Sequence, residues 1–281
     1  MDSNRPFRWD LIRPDQLGSL LDDVQSWELS FLDDLVRCAA RVLGQCGDGD
    51  LYFVGRSVDS LFDLLSGALA DTTWSSRLHP LPLSLFGTDG KDLSGTELRQ
   101  LRANLTADGL APAGLMRGRP TVFVDLVHQG STFENLYAVL RRWIDDEHAQ
   151  WDVIRRQFRF VGITARTKTS PNTRRWQQHA DFAAELPSSA IRNVSLDARL
   201  WSYFGDYQRK TTASFRRTRW ADPAVVDPPR DEASRIALAE AVRVVAAGRA
   251  PKVRRQLARL LTKEPAMSER WLRDLQVSLR R

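Results

Sequence analysis

The sequence predicts an α/β protein with a mostly parallel sheet flanked by helices, and three observations carry that expectation. Short apolar runs of the kind that form buried strands recur at LYFVG, TVFVDLV and FRFVGITA. The first two runs each end in a tight polar turn. Segments with helical apolar spacing follow those turns, so strand, turn and helix alternate. In such sheets, ligands sit beyond the carboxyl ends of the strands.

Taken in order, WELSFLDDLVRCAARV from Trp27 to Val42 carries the spacing of an amphipathic helix, and GDGD at Gly47 to Asp50 stops it before the strand LYFVG. Val58 to Leu69 reads as a helix. HPLPLSLFG, from His79 to Gly87, reads as extended, with two prolines that suit a sheet edge. Leu93 to Leu110 is mostly helical, RGRP turns, TVFVDLV is a buried strand and Thr132 to Ile144 is the next helix. Phe158 to Ala165 supplies another strand. After the proline-rich connection from Asp222 to Arg230, three helices are expected at Ala233 to Ala247, Lys252 to Thr262 and Ser268 to Leu279. The expected organisation is therefore an N-terminal helical segment packing on the core (1–49), an α/β domain (50–221) and a C-terminal helical appendage (231–281).

Composition narrows the setting. The apolar runs are too short and interrupted to span a bilayer. The first residues lack the apolar stretch of a secretory signal, and Cys38 and Cys46 have no metal-ligand pattern, so a reducing, cytoplasmic home is expected. A net charge of +6 favours an anionic partner without choosing among nucleotide, polynucleotide and acidic protein. Much of the excess lies after Arg249 and in RKTTASFRRTR, from Arg209 to Arg219.

Two turns carry the candidate chemistry. In TVFVDLVHQGSTFENLYAVL a strand ends at Asp125 and a Gly-Ser-Thr turn opens a helix, whose unpaired N–H groups and positive dipole end suit a phosphate. Gly130 lets backbone approach an anion closely, and Ser131 and Thr132 add hydroxyl donors. The plainer reading makes Ser131 or Thr132 an ordinary helix N-cap. In LYFVGRSVDSLFDLL the bend is Gly55, Arg56 and Ser57, where Arg56 offers a charged fork to anion oxygens. The plainer reading there is a β-to-α connection with Arg56 solvated.

Over roughly Asp50 to Arg166 these two loops, in this order, resemble those of the type I phosphoribosyltransferases. The later loop is similar to that family's phosphoribosyl pyrophosphate motif: a hydrophobic strand, two acids, two apolar residues, an acid and Thr-Gly-x-Thr. On this chain Asp125 takes the second acidic position, Leu126 and Val127 the apolar pair, and Gln129, Gly130, Ser131 and Thr132 the 5′-phosphate cradle. Val124 stands in place of the first acid and His128 in place of the catalytic one. The earlier loop, Gly55, Arg56 and Ser57, resembles the pyrophosphate loop. The resemblance implies a phosphoribosyltransferase-like fold that binds phosphoribosyl pyrophosphate or a nucleotide, with Mg²⁺ carried through the substrate pyrophosphate and no metal ligand set of its own. Asp125 and His128 would be catalytic, the latter moving a proton to or from a nucleobase-like acceptor. Arg166, Lys168 and Asp206 are the acceptor-side candidates, and an aromatic of LWSYFGDYQRK is a stacking candidate.

Three functions stand beside one another at this stage. One is a transferase. The second is a nucleotide-sensing protein that has lost transfer, for which Val124 speaks, with the C-terminal helices as a homodimer or protein-partner surface. In the third, the basic tail binds nucleic acid, although Leu257, Leu260, Leu261 and Leu272 among its cations make packing with a solvated basic face the simpler account.

Overall fold

The apolar spacing after Trp27 produces helix α1 (Leu32–Gln45) in the computed structural model, which describes residues 5–25, 28–85, 87–88, 92–167 and 176–280. The helix begins at Leu32, which puts Asp33 and Asp34 in its first turn, where the positive end of the helix dipole favours acids. Gly47 and Asp48, both at positive φ, then turn the chain into strand β1 (Asp50–Val54). The remaining elements follow as α2 (Asp59–Leu69), β2 (Leu78–Leu81), α3 (Gly95–Ala107), α4 (Pro112–Arg117), β3 (Thr121–Leu126), α5 (Ser131–Asp146), α6 (Trp151–Gln157) and β4 (Phe158–Ala165). After them come β5 (Ile191–Leu196), α7 (Ala198–Ser202), α8 (Glu232–Arg249), α9 (Pro251–Leu261) and α10 (Arg270–Ser278).

All five strands run parallel in one sheet of order β2-β1-β3-β4-β5. β2 is an edge strand, as its prolines predict, but it is shorter than the expected stretch from His79 to Gly87. Pro82 has no N–H with which to continue the ladder, and beyond it Leu83 forms an isolated parallel bridge with Phe215. From β1 the chain goes outward to β2 on one side and later returns to build β3, β4 and β5 on the other. The order therefore reverses between β1 and β3, and the ends of these two strands open a crevice.

Alternation along the strands assigns the two faces. Leu51, Phe53, Val122, Val124, Val161 and Ile163 point into a core shared with α1 and α2. Tyr52, Phe123, Phe158 and Phe160 point into the other core, with side chains of α3 to α6. The C-terminal helices contribute to the first core through Val244, Leu257, Leu261, Leu272 and Leu275. Helix α8 lies against α2 so closely that a β-carbon on Gly67 would collide with the Val245 carbonyl, and one on Gly248 with the Leu64 carbonyl. The N-terminal segment places Leu11 and Leu17 on Leu238, Ala241 and Val245 of α8. Among the described residues no helix is long and apolar enough to cross a membrane.

One segment, regular only in a short 3-10 turn at Arg217–Arg219, borders the crevice. Residues 208–219 form a strap between the π-helical turn Tyr203–Tyr207 and the buried Trp220. Its anchors are the Ser84 N–H donating to the Phe215 carbonyl at 2.9 Å and Arg217 donating to both Glu97 carboxylate oxygens at 2.5 and 2.7 Å. Glu97 belongs to the capping box of α3, accepting from Ser94 N–H at 2.9 Å, so the strap is tied to an already fixed helix end.

Candidate functional site

The crevice at the ends of β1 and β3 is a cleft of about 490 Å³ lined by Gly55, Arg56, Ser57, Asp125, Thr132 and, from the strap side, Gly205, Lys210, Ser214 and Arg216. Both turns singled out in the sequence reach it. Gly55 (φ 73°) makes the first bend after β1, and its N–H donates to the Leu81 carbonyl at 2.8 Å. The bend aims Ser57 across the reversal point, where its hydroxyl donates to Asp125 Oδ1 at 3.0 Å. One hydrogen bond thus joins the two loops.

Asp125 is almost fully buried, and burial pushes its pKa up to about 7, opposed by the hydrogen bonds from Ser57, the Leu126 backbone and the Thr132 hydroxyl. Near neutrality this side chain exchanges a proton. The residue before it, Val124, is sealed in the core of the opposite sheet face.

At the second turn the N-cap of α5 is Gly130 (φ 90°), with no side-chain cap hydrogen bond. Ser131 and Thr132 are the first residues of the helix, so neither is the plain N-cap, and the first-turn N–H groups lack a side-chain cap. Gly130 has a packing reason as well, because a β-carbon there would collide with the Trp176 ring. Trp176 is wedged against Gly162 too and donates from Nε1 to Asn193 Oδ1 at 2.7 Å. Of the expected phosphate cradle, Thr132 lines the cleft. Gln129 and Ser131 are exposed beside it.

Arg56 turns its guanidinium to the strap, donating from Nη1 to the Thr212 carbonyl at 2.5 Å. Burial lowers its pKa, Asp59 opposes that, and the charges of Arg216 and Arg219 add to it. Lys210, from the same strap, donates from Nζ to the Phe204 carbonyl at 2.8 Å and to Gln208 Oε1 at 2.7 Å. Burial pulls its pKa down to about 8. Gln208 is itself fixed by donating to Ser60 Oγ at 2.6 Å and to Glu240, which also accepts from Tyr203 Oη at 2.7 Å. Arg216 stands exposed at the rim. Sequence reasoning missed Lys210 and Arg216 as site residues, since the basic stretch that holds them shows no spacing that places them at a distant strand end.

The other candidates lie apart from the cleft lining. His128 is exposed, with its ring 6.2 Å from that of Trp201. Asp206 is exposed and accepts from Ser202 Oγ at 3.5 Å, although its neighbour Gly205 lines the cleft. Arg166 is exposed at the end of β4, and its charge acts on the Cys38 thiol of α1. Lys168 lies outside the described residues.

The residues of this cleft would not hold Mg²⁺ directly, and the family resemblance implies the ion only through the substrate pyrophosphate. The cleft lining has one carboxyl group, whose Oδ1 already accepts from Ser57, and three basic side chains that repel a dication. Among the described residues no three His, Cys, Asp or Glu side chains converge as metal ligands.

No family model, no curated protein and no solved structure matches the chain. What defines its class is the architecture: a parallel α/β protein with a basic, strap-bordered cleft at the switch point of its sheet.

Proposed function

We propose that the protein binds phosphoribosyl pyrophosphate or a nucleotide 5′-phosphate in this cleft, as a phosphoribosyltransferase-like protein, and passes the phosphoribosyl group to or from a nucleobase-like acceptor. The observation that carries the reading is the Ser57 to Asp125 hydrogen bond, which holds the two anion-suited turns together at the reversal of strand order. A 5′-phosphate would sit at the uncapped start of α5 beside Thr132, and a second anionic group against Arg56.

A second reading has its own support. Val124 is fixed in the core where the family's first acid would reach the ribose, and His128 lies outside the cleft lining. Both favour a sensor that retains binding without transfer, with α8 to α10 as the surface for a second copy or a protein partner.

Calorimetric titration of phosphoribosyl pyrophosphate into the wild-type chain and into Asp125→Ala and Thr132→Ala tests the site. A pyrophosphate-release screen over purine and pyrimidine bases follows. Binding weakened by both substitutions together with release establishes the transferase, and binding without release establishes the sensor. Absence of binding removes the ligand assignment and leaves the fold.

A further inference from the structure

Arg56 and Lys210 are held by neutral partners. None of the ion pairs among the described residues includes Arg56, Lys210 or Arg216. Of the carboxylates whose charges act on Lys210, Asp59 and Asp63 are engaged by Arg8 of the N-terminal segment, at 2.8 and 2.9 Å, and Glu240 accepts from Tyr203 and Gln208 rather than from Lys210 itself. An ammonium has three N–H donors, and Lys210 places two of them on carbonyl oxygens, which orient the group without neutralising it. Arg56 likewise rests on the Thr212 carbonyl. Arg56 and Lys210 repel each other, as do Arg56 and Arg216. Arg56 and Lys210, partly buried with no carboxylate in direct contact, keep a desolvation cost that the more distant acids offset only in part, since burial still lowers both pKa values. An anion from solution relieves it; a divalent cation adds to it.

We propose that Lys210, together with Arg56 and Arg216, binds a diphosphate group directly, so that the ligand of this cleft is a metal-free di- or polyanion gripped between the β1 turn and the strap. The inference rests on the anion-binding reading of the cleft and adds to it the charge state of the ligand. In cleft sites built from carboxylates, a bound metal bridges protein and phosphate. Here the strap supplies that positive charge from the protein itself, and residues 208–219 are held in place at Ser84 and Glu97 as well as through Gln208 and Thr212.

The test uses inorganic pyrophosphate as the probe, titrated calorimetrically into the full chain in EDTA and again in excess Mg²⁺. Binding is expected in EDTA and is expected to weaken in Mg²⁺, which the probe chelates with a loss of its negative charge. Lys210→Met should weaken binding in EDTA by about tenfold to a hundredfold, the worth of a hydrogen bond from a charged donor. Lys210→Arg should retain most of the affinity. Pyrophosphate binding that requires Mg²⁺, binding in EDTA that Lys210→Met leaves unchanged, or no binding in either condition overturns the inference. The comparison of EDTA with Mg²⁺ needs only the wild-type chain, so it stands even where a variant fails to fold. Pyrophosphate bound in EDTA with phosphoribosyl pyrophosphate not bound upholds the direct grip and removes the phosphoribosyl reading. Phosphoribosyl pyrophosphate bound only with Mg²⁺ does the reverse.

Discussion

Replacing Asp125 by asparagine should make the protein more stable, and by an amount that grows with pH. The carboxyl is buried under the Ser57 and Thr132 hydroxyls, and its pKa is pushed from 3.8 to about 7. The unfolded chain releases this proton near pH 4, whereas the folded chain holds it until about pH 7. The folded state thus binds more protons over that range, and stability falls as pH rises through it. At about 1.4 kcal/mol per pKa unit, the raised pKa costs the fold on the order of 4 kcal/mol at pH 8, where the buried group is ionised, and about 1.5 kcal/mol at pH 5, where it keeps a proton that the unfolded chain has released. Asparagine keeps a hydrogen-bonding amide beside both hydroxyls and has no charge to bury. Urea unfolding followed by tryptophan fluorescence should therefore show the variant's advantage widening by about 2–3 kcal/mol between pH 5 and pH 8. Asp63 titrates in the same range in both proteins, so the difference isolates Asp125. An advantage that stays constant or shrinks with pH would refute the reasoning.

Three further outcomes are expected. Gly130→Ala should lose on the order of 3 kcal/mol in thermal denaturation, from its left-handed backbone and its collision with Trp176, and Trp176→Leu in the same chain should recover part of the loss; additive losses would clear the ring of blame. Gly67→Ala should force α2 and α8 apart at a cost of about 1–3 kcal/mol, read by circular dichroism melting, with an unchanged midpoint counting against the close approach. Arg8→Met should cost about 1–2 kcal/mol at pH 8 by leaving Asp63 buried without its cation. That loss should diminish at pH 5, because burial pushes the Asp63 pKa up to about 7 and the acid then keeps its proton; an equal loss at both pH values would contradict the assignment.

The sequence exposes those parts of the fold whose signal is local. β1, β3 and β4 announce themselves as apolar runs, and the bends at Gly55 and Gly130 as glycines between a strand and a helix; both glycines do take positive φ. β5 is hidden, since Ile191–Leu196 begins with partly exposed and polar residues and only its last three are buried. α6 is short and sits against β4 with no turn signal between them. The candidate site divides along the same line. Arg56, Ser57, Asp125 and Thr132 are legible because each lies within a few residues of a strand end, where topology guarantees a crevice. Lys210 and Arg216 reach the same crevice through contacts with Thr212, Phe215 and Arg217 that no periodicity encodes. Trp176 is equally silent, for its partners Gly130 and Gly162 are brought to it by the parallel packing of β3 and β4.

The pairing of Leu83 and Ser84 with Phe215 has a consequence for how this protein behaves in a crowd. A parallel sheet that ends in a strand as short as β2 presents unpaired amide and carbonyl groups on which another chain can add a strand. Pro80 and Pro82 remove two of those donors, and the strap occupies the backbone just beyond them. The same peptide that carries cations to the cleft therefore guards the sheet against self-association, and a substitution that frees it, such as Glu97→Ala, should bring a tendency to aggregate along with any loss of ligand.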